Sequence, residues 1–223
     1  MNPDMLRSAP VPSVRRMPLY LRFLKQLKSR GRQVVSCTHI AHELGLVNTQ
    51  VRKDLAMTGI VGRPKVGYDV PALIAAIEGF LGWNNTSDAF IVGAGSLGRA
   101  LMGYDGFREY GLNILAAFDI DPERVGRPVH GKEVFALERL PDLAERLHVR
   151  IGILTVPAKA AQDAANLLVL SGIRAIWNYA PIGLEVPESV IVENMNLSAS
   201  LAVLSSRLAQ TLRTEMGLKT ETE

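Results

Sequence analysis

The chain has one cysteine in 223 residues, Cys37. That excludes an internal disulfide framework and leaves too few thiols for a zinc ribbon. Nowhere is there a run of the roughly 18 to 20 apolar residues that a membrane span requires. The opening stretch, MNPDMLRSAPVPSVRR, also lacks the apolar centre of a signal peptide, so the expected location is cytoplasmic. Low-complexity tracts and internal repeats are missing too. Enzyme signatures are equally sparse: there is no Tyr-x-x-x-Lys pair, no G-x-S-x-G and no P-loop, and none of the four histidines is tied by spacing to a catalytic partner. Cys37, His39 and His42 superficially resemble metal ligands, but no fourth ligand stands at metal-site spacing, which favours a helix surface.

What the chain does have is charge asymmetry. Residues 1–66 hold 12 Lys or Arg against 3 Asp or Glu, whereas the remainder holds 13 against 19, giving +9 and −6 around a net +3. A compact basic module joined to an acidic one points to a polyanion as the first module's partner, most often nucleic acid.

The basic module carries a fitting pattern. After a lead containing Pro3, Pro10, Pro12 and Pro18, MPLYLRFLKQLKSRG spaces Leu19, Phe23, Leu24 and Leu27 as one apolar helical face. Ser36 offers an N-cap to CTHIAHELG, and TQVRKDLAMTG reads as a third helix, so that two short helices joined by a tight connection form a helix-turn-helix. The second helix of that motif enters the major groove, which here presents Thr49, Gln50, Arg52 and Lys53. Gln pairs bidentately with adenine and Arg with guanine, while Lys more often takes phosphate. The following IVGRPKVGYDV reads as a hairpin wing with a basic tip at Arg63 and Lys65, and Ser36 completes the DNA-facing set. VPALIAAIEGFLGW is expected to be a helix joining the two modules.

From Asp88 strands alternate with helices: AFIVGAG, LNILAAFD, RIGILTVP and AIWN are separated by helical runs and SVIVEN is a fifth strand, implying a doubly wound parallel sheet. Gly93-Ala94-Gly95-Ser96-Leu97-Gly98 fits G-x-G-x-x-G between a strand and a helix, where backbone N–H groups can meet a pyrophosphate. Asp119 ends the next strand 21 residues beyond the last glycine, the place of a carboxylate that accepts from a ribose 2′-hydroxyl and repels a 2′-phosphate, favouring NADH and NAD+ over their phosphorylated forms. Last comes SASLAVLSSRLAQTLRTEMG, with Leu201, Leu204, Leu208, Leu212 and Met216 on one helical stripe that must find cover; a second subunit is the favoured one.

With these parts in place, the chain resembles the Rex family of redox-sensing transcriptional repressors over nearly its whole length. The matches include Arg16 with MPLYLR, VRKDL, VGYDV, GAGSLGRAL, Tyr104 with Gly106 and Phe107, AFDIDP, VPA at 156–158, WNYAP and VEN. The resemblance implies an N-terminal winged helix-turn-helix domain (1–80), an α/β Rossmann-type domain (81–197) and a C-terminal helix (198–223) swapped within a homodimer. It adds Tyr104, Phe107, Val156, Pro157 and Asn178 to the cofactor-binding set, and implies release of an inverted-repeat DNA operator on NADH binding. It also places Arg16 and Tyr104 in a switch network with an Asp of the partner, a position held here by Asn196. Ser96 stands where the family usually has Asn, Thr58 and Val61 replace aromatics, and Lys65 replaces glycine. An amide supplies no charge to pair with arginine. Two alternatives stay open: a small NAD-dependent oxidoreductase or nucleotide-binding subunit, and a diverged relative without redox control.

Overall fold

The first helix begins before the apolar spacing predicts. In the computed structural model, which describes residues 9–215, helix α1 runs Val11–Ser29. Pro12 lies in its first turn, where a missing N–H has no partner to lose, and Pro18 sits inside the helix on its exposed side. The buried face is Met17, Tyr20, Leu21, Leu24 and Leu27. Leu19 and Phe23 fall at its margins, so the face is rotated from the expected one. Tyr20 belongs inside because its hydroxyl has an acceptor there, Asp54.

The chain divides into two compact units, one made of residues up to Thr86 with Gly106–Leu112, the other of Ser87–Asp105 and residues from Asn113 onward. In the first unit, α1 is followed by strand β1 (Val34–Val35), helix α2 (Cys37–Leu44), helix α3 (Asn48–Ala56), strand β2 (Tyr68–Asp69) and helix α4 (Val70–Leu81). Ser36 caps α2 by accepting the His39 N–H at 3.1 Å, and Gly45 closes it in the left-handed region. Asn48 Nδ2 donates to Thr38 Oγ1 at 2.7 Å, tying α3 to α2. The wing is not the simple hairpin expected from alternation. β2 pairs antiparallel with β1, ahead of the helix-turn-helix, and the Arg63–Gly67 stretch is a tight turn closed by a single bridge. Gly67 is obligatory there: its φ is +104°, and a Cβ would come within 2.3 Å of the Val35 carbonyl oxygen. Helix α4 is a core element of this unit rather than a connector, since Val70, Leu73 and Ile77 are fully buried. The unit continues past residue 80 because Trp83 packs on Tyr110, ring centres 4.8 Å apart.

The second unit opens with strand β3 (Ser87–Val92), then helix α5 (Ser96–Met102), β4 (Leu112–Asp119), β5 (Val134–Ala136), α6 (Leu140–Arg146), β6 (Ile151–Leu154), α7 (Ala158–Leu170), β7 (Ala175–Asn178), β8 (Ile191–Asn194) and α8 (Leu197–Glu215). Sheet order is β5-β4-β3-β6-β7-β8. Chain direction reverses its march across the sheet between β3 and β6, the crevice where open α/β sheets take their ligands. The short strand β5 was not legible in the sequence; it pairs parallel with the end of β4 at Ala117–Asp119. Phe90 and Phe118 meet edge to face at 4.9 Å in the core.

The densest polar tie in the first unit is Asp54, 1% exposed on α3. It accepts from Arg16 Nε at 2.7 Å and Nη2 at 2.9 Å, and from the Tyr20 hydroxyl at 2.6 Å. Burial opposes its ionisation, but the bonds from Arg16, Tyr20 and Ser13 outweigh that and hold the carboxyl below its ordinary range. Its contribution to stability is therefore complete above about pH 4 and is lost as pH falls through the lower folded-state value. Urea midpoints should drop on acidification below that pH, less so in Asp54→Asn. Asp54→Ala, which strands Arg16 and Tyr20, should cost about 3 kcal/mol in equilibrium urea unfolding; a loss under about 1 kcal/mol would show the tie to be peripheral.

Candidate functional site

The turn after β3 is built by exclusion of side chains. Gly93 has φ +100°, and a Cβ on it would lie 2.9 Å from the Thr155 carbonyl oxygen and from Val156 Cγ1. At Gly98 a Cβ would come within 2.0 Å of the Gly93 oxygen, so this glycine lets α5 sit against the turn. Gly95 is different. Its nearest neighbour would be Arg124 Nη1 at 3.9 Å, which leaves its face open to a ligand. Thr155, at the end of β6, fastens the turn from across the crevice by donating its hydroxyl to the Gly93 carbonyl at 2.7 Å.

Asp119 closes the other side. It is 6% exposed, and its Oδ2 accepts from the Ala94 N–H at 2.7 Å and Arg124 Nη1 at 3.1 Å, while Oδ1 accepts from the Asp121 N–H at 2.9 Å. Burial pushes its pKa up, but the Asp121 and Ala94 N–H groups and Arg124 prevail and hold it low, so it is a carboxylate at neutral pH. A carboxylate has about four acceptor positions, which leaves Oδ1 capacity for a further donor. Asp119 therefore shapes the glycine turn and keeps an acceptor position open in the cavity lining.

Between these walls lies a cavity of about 740 Å³, lined by Gly93, Gly95, Leu97, Asp119, Val156 and Pro157 from the expected set, and also by Asp121, Arg124, Thr155, Asp163 and Tyr179. Its size and mixed apolar and polar lining suit a cofactor-sized ligand. Other expected contacts fall elsewhere. Ala94 is buried and acts through its N–H, Ser96 is exposed outside the cavity, and Gly98 works by packing. Asn178 is wholly buried, its Nδ2 donating to the Ile182 carbonyl and Asn194 Oδ1 and its Oδ1 accepting the Ala180 N–H; it holds the turn that carries Tyr179. Tyr104 and Phe107 do not line the cavity, and Phe107 belongs to the first unit. Arg124, Thr155 and Tyr179 went unread because only the fold brings three strand ends together.

In the first unit, α3 exposes Thr49, Arg52, Lys53 and Ala56 along one side, with Gln50 half-buried beside them. Arg63 and Lys65 are exposed on the tight turn, Lys65 with φ +61°. Arg16 and Asn196, two of the three expected switch residues, each have partners within their own unit. Arg16 has its counter-charge in Asp54. Asn196 caps α8, its Oδ1 accepting from the Ala199 N–H at 2.9 Å and the Ser198 hydroxyl at 2.7 Å. Leu201, Leu204 and Leu208 of α8 are more than half exposed, and Leu212 is 46% exposed; Met216 lies outside the described residues. Among the described residues no three His, Cys, Asp or Glu groups are placed to hold a metal ion, and no helix is long and apolar enough to cross a membrane.

Comparison with known proteins agrees with this division. The family model described as a putative DNA-binding protein N-terminus matches residues 9–56, and that described as a CoA binding domain matches residues 84–182. A protein of Treponema denticola described as redox-sensing transcriptional repressor Rex is 51% identical, the match covering 86% of this chain and 92% of the relative. A Bacteroides fragilis protein of the same description is 43% identical over 89% of this chain and 90% of its own. The crystal structure of RSP with β-NAD+ and operator DNA superposes with a TM-score of 0.87 at 36% identity, covering 95% of this chain and 98% of the other. That of RSP with β-NADH gives 0.83 at 35% identity, covering 94% and 98%.

The glycine turn separates fold from ligand. Gly95→Ala should leave the thermal midpoint nearly unchanged yet weaken dinucleotide binding at least tenfold in calorimetric titration with NADH, because the added methyl points into the open face. Gly98→Ala should instead lower the thermal midpoint markedly. Equal effects of both substitutions on stability would contradict this division of roles.

Proposed function

The chain belongs to the Rex family of redox-sensing transcriptional repressors, and on that premise we propose that it is a homodimeric DNA-binding repressor that reads the NADH/NAD+ balance, releasing its operator when NADH binds. The observation that carries the reading is a glycine turn open at Gly95 over a crevice at the sheet's reversal point, in the same chain as a basic helix-turn-helix. A dinucleotide held there supplies a nicotinamide ring that is cationic when oxidised and neutral when reduced. The chain's own groups fit it: Gly95 allows close approach of the diphosphate, Asp119 offers an acceptor to a ribose, and Leu97, Val156 and Pro157 give apolar walls. The nucleotide acts as a signal and is left chemically unchanged. A ligand shifts a two-state equilibrium only by its differential affinity for the two states, so the two redox forms must favour different dimer arrangements.

DNA contact is assigned to Thr49, Gln50, Arg52 and Lys53 of α3, with Ser36 at the start of α2 and Arg63 and Lys65 on the turn. Two such units on an inverted repeat require a two-fold dimer. The exposed leucine stripe of α8 supports a second copy as its cover, with the helix exchanged between subunits. A protein of this kind works beside the bacterial chromosome, in the cytoplasm.

The deciding measurement is fluorescence anisotropy on an inverted-repeat duplex selected from a randomised pool. NADH should lower affinity at least tenfold where NAD+ does not, and affinity should fall with salt at a log-log slope of about −0.9 per phosphate neutralised. Indistinguishable affinities with the two nucleotides would remove redox control, and a flat salt response would remove the DNA-binding reading. Leu204→Asp with Leu208→Asp should convert the dimer to monomer by sedimentation velocity; an unchanged mass would place the subunit contact elsewhere.

A further inference from the structure

A glutamine on a recognition helix can read adenine with both ends of its amide, Oε1 accepting from the N6 amino group and Nε2 donating to N7. Both ends must be available for that. In Gln50 one is not. With the amide oriented by its hydrogen-bond surroundings, Gln50 Oε1 accepts from Arg16 Nη1 at 3.1 Å and Nη2 at 3.2 Å. The opposite orientation would set amide donors against a guanidinium that has no acceptor to offer.

Arg16 cannot easily turn away. Its Nε and Nη2 hold the two oxygens of Asp54 at 2.7 and 2.9 Å, and Nη2 also reaches Ser13 Oγ at 3.2 Å. Asp54 is buried and takes the Tyr20 hydroxyl as well. The helix geometry is consistent: Thr49, Arg52 and Lys53 are exposed, while Gln50, about 100° around the helix from Thr49, is half-buried on the flank beside α1.

We propose that Gln50 reads DNA with its Nε2 donor alone, and that Arg16, acting through the Gln50 carbonyl, is the positioning residue that imposes this. Gln50 then contacts a major-groove acceptor such as purine N7, and gives no preference for adenine over guanine, since both carry N7. This rests on the reading that α3 enters the major groove.

The test is a double-mutant cycle on a duplex selected from a randomised pool with the full-length protein. Each adenine is replaced in turn by a purine lacking the N6 amino group, and affinities are measured for wild type and Gln50→Ala. Gln50→Ala should weaken binding several-fold, by the same factor, within twofold, with or without each N6 group. The paired variant Arg16→Met with Asp54→Asn removes both charges together and leaves Tyr20 an acceptor, and thermal melting confirms that it is folded. In that background the freed carbonyl should create a coupling of fivefold or more between Gln50 and one adenine N6, an effect that a purely structural role for Arg16 would not produce. Tenfold coupling already present with Arg16 in place would overturn the proposal, as would a Gln50→Ala variant that binds like wild type, or a paired variant that folds and creates no coupling. A wild-type protein that enriches no duplex at all would instead overturn the underlying reading of α3, and the proposal with it.

Discussion

A carboxylate taken out of water must be met by donors, and in this protein that requirement sets the geometry of both units. Asp54 gathers Arg16 and Tyr20 of α1 onto α3, fixing the helix that carries Thr49, Gln50, Arg52 and Lys53. Asp119 gathers the Ala94 and Asp121 N–H groups and Arg124, fixing the turn that carries Gly95. Asp54 lies beneath the surface it organises, whereas Asp119 lines the crevice it shapes. Each is held ionised against the effect of burial by the donors around it, so each site's shape is tied to the same electrostatic balance that keeps its unit folded.

The glycines divide along the same line. Gly93, Gly98 and Gly67 are there because backbone lies where a Cβ would go, and they shape the chain. A Cβ on Gly95 would meet only Arg124 Nη1, in ordinary contact at 3.9 Å, so no close approach of the protein's own backbone requires a glycine there. Thr155 completes the arrangement from β6, linking the turn after β3 to the neighbouring strand with a hydroxyl that a sequence reading has no reason to single out. Arg16 likewise acquires a different sense: its charge is answered within its own unit by Asp54, and its Nη1 and Nη2 groups also hold the Gln50 carbonyl.

Helix α8 is the part the single chain leaves unfinished. Its cap is in order, with Asn196 accepting at the first turn, yet its leucines are open to solvent. An apolar stripe of that length is stable only when covered. A helix capped locally and left bare along its apolar side is what a subunit presents when its cover belongs to another copy.

The amino-acid sequence by itself determined what rests on local pattern: the helix-turn-helix with its Ser36 cap, the alternation that gives a parallel sheet, the spacing of Gly93, Gly95 and Gly98, and the carboxylate at the end of β4. Those features depend on residues a few positions apart or on one strand's periodicity. Only the tertiary structure decided which face of α1 turns inward, that β2 pairs with β1 and not within a wing hairpin, that Asn178 serves a turn while Arg124, Thr155 and Tyr179 line the crevice, and that Asp54 claims Arg16. The reason is physical. Burial and hydrogen bonding join groups from distant parts of the chain, such as Arg16 and Asp54, 38 positions apart, and a side chain's role is fixed by which partner reaches it once water has been excluded.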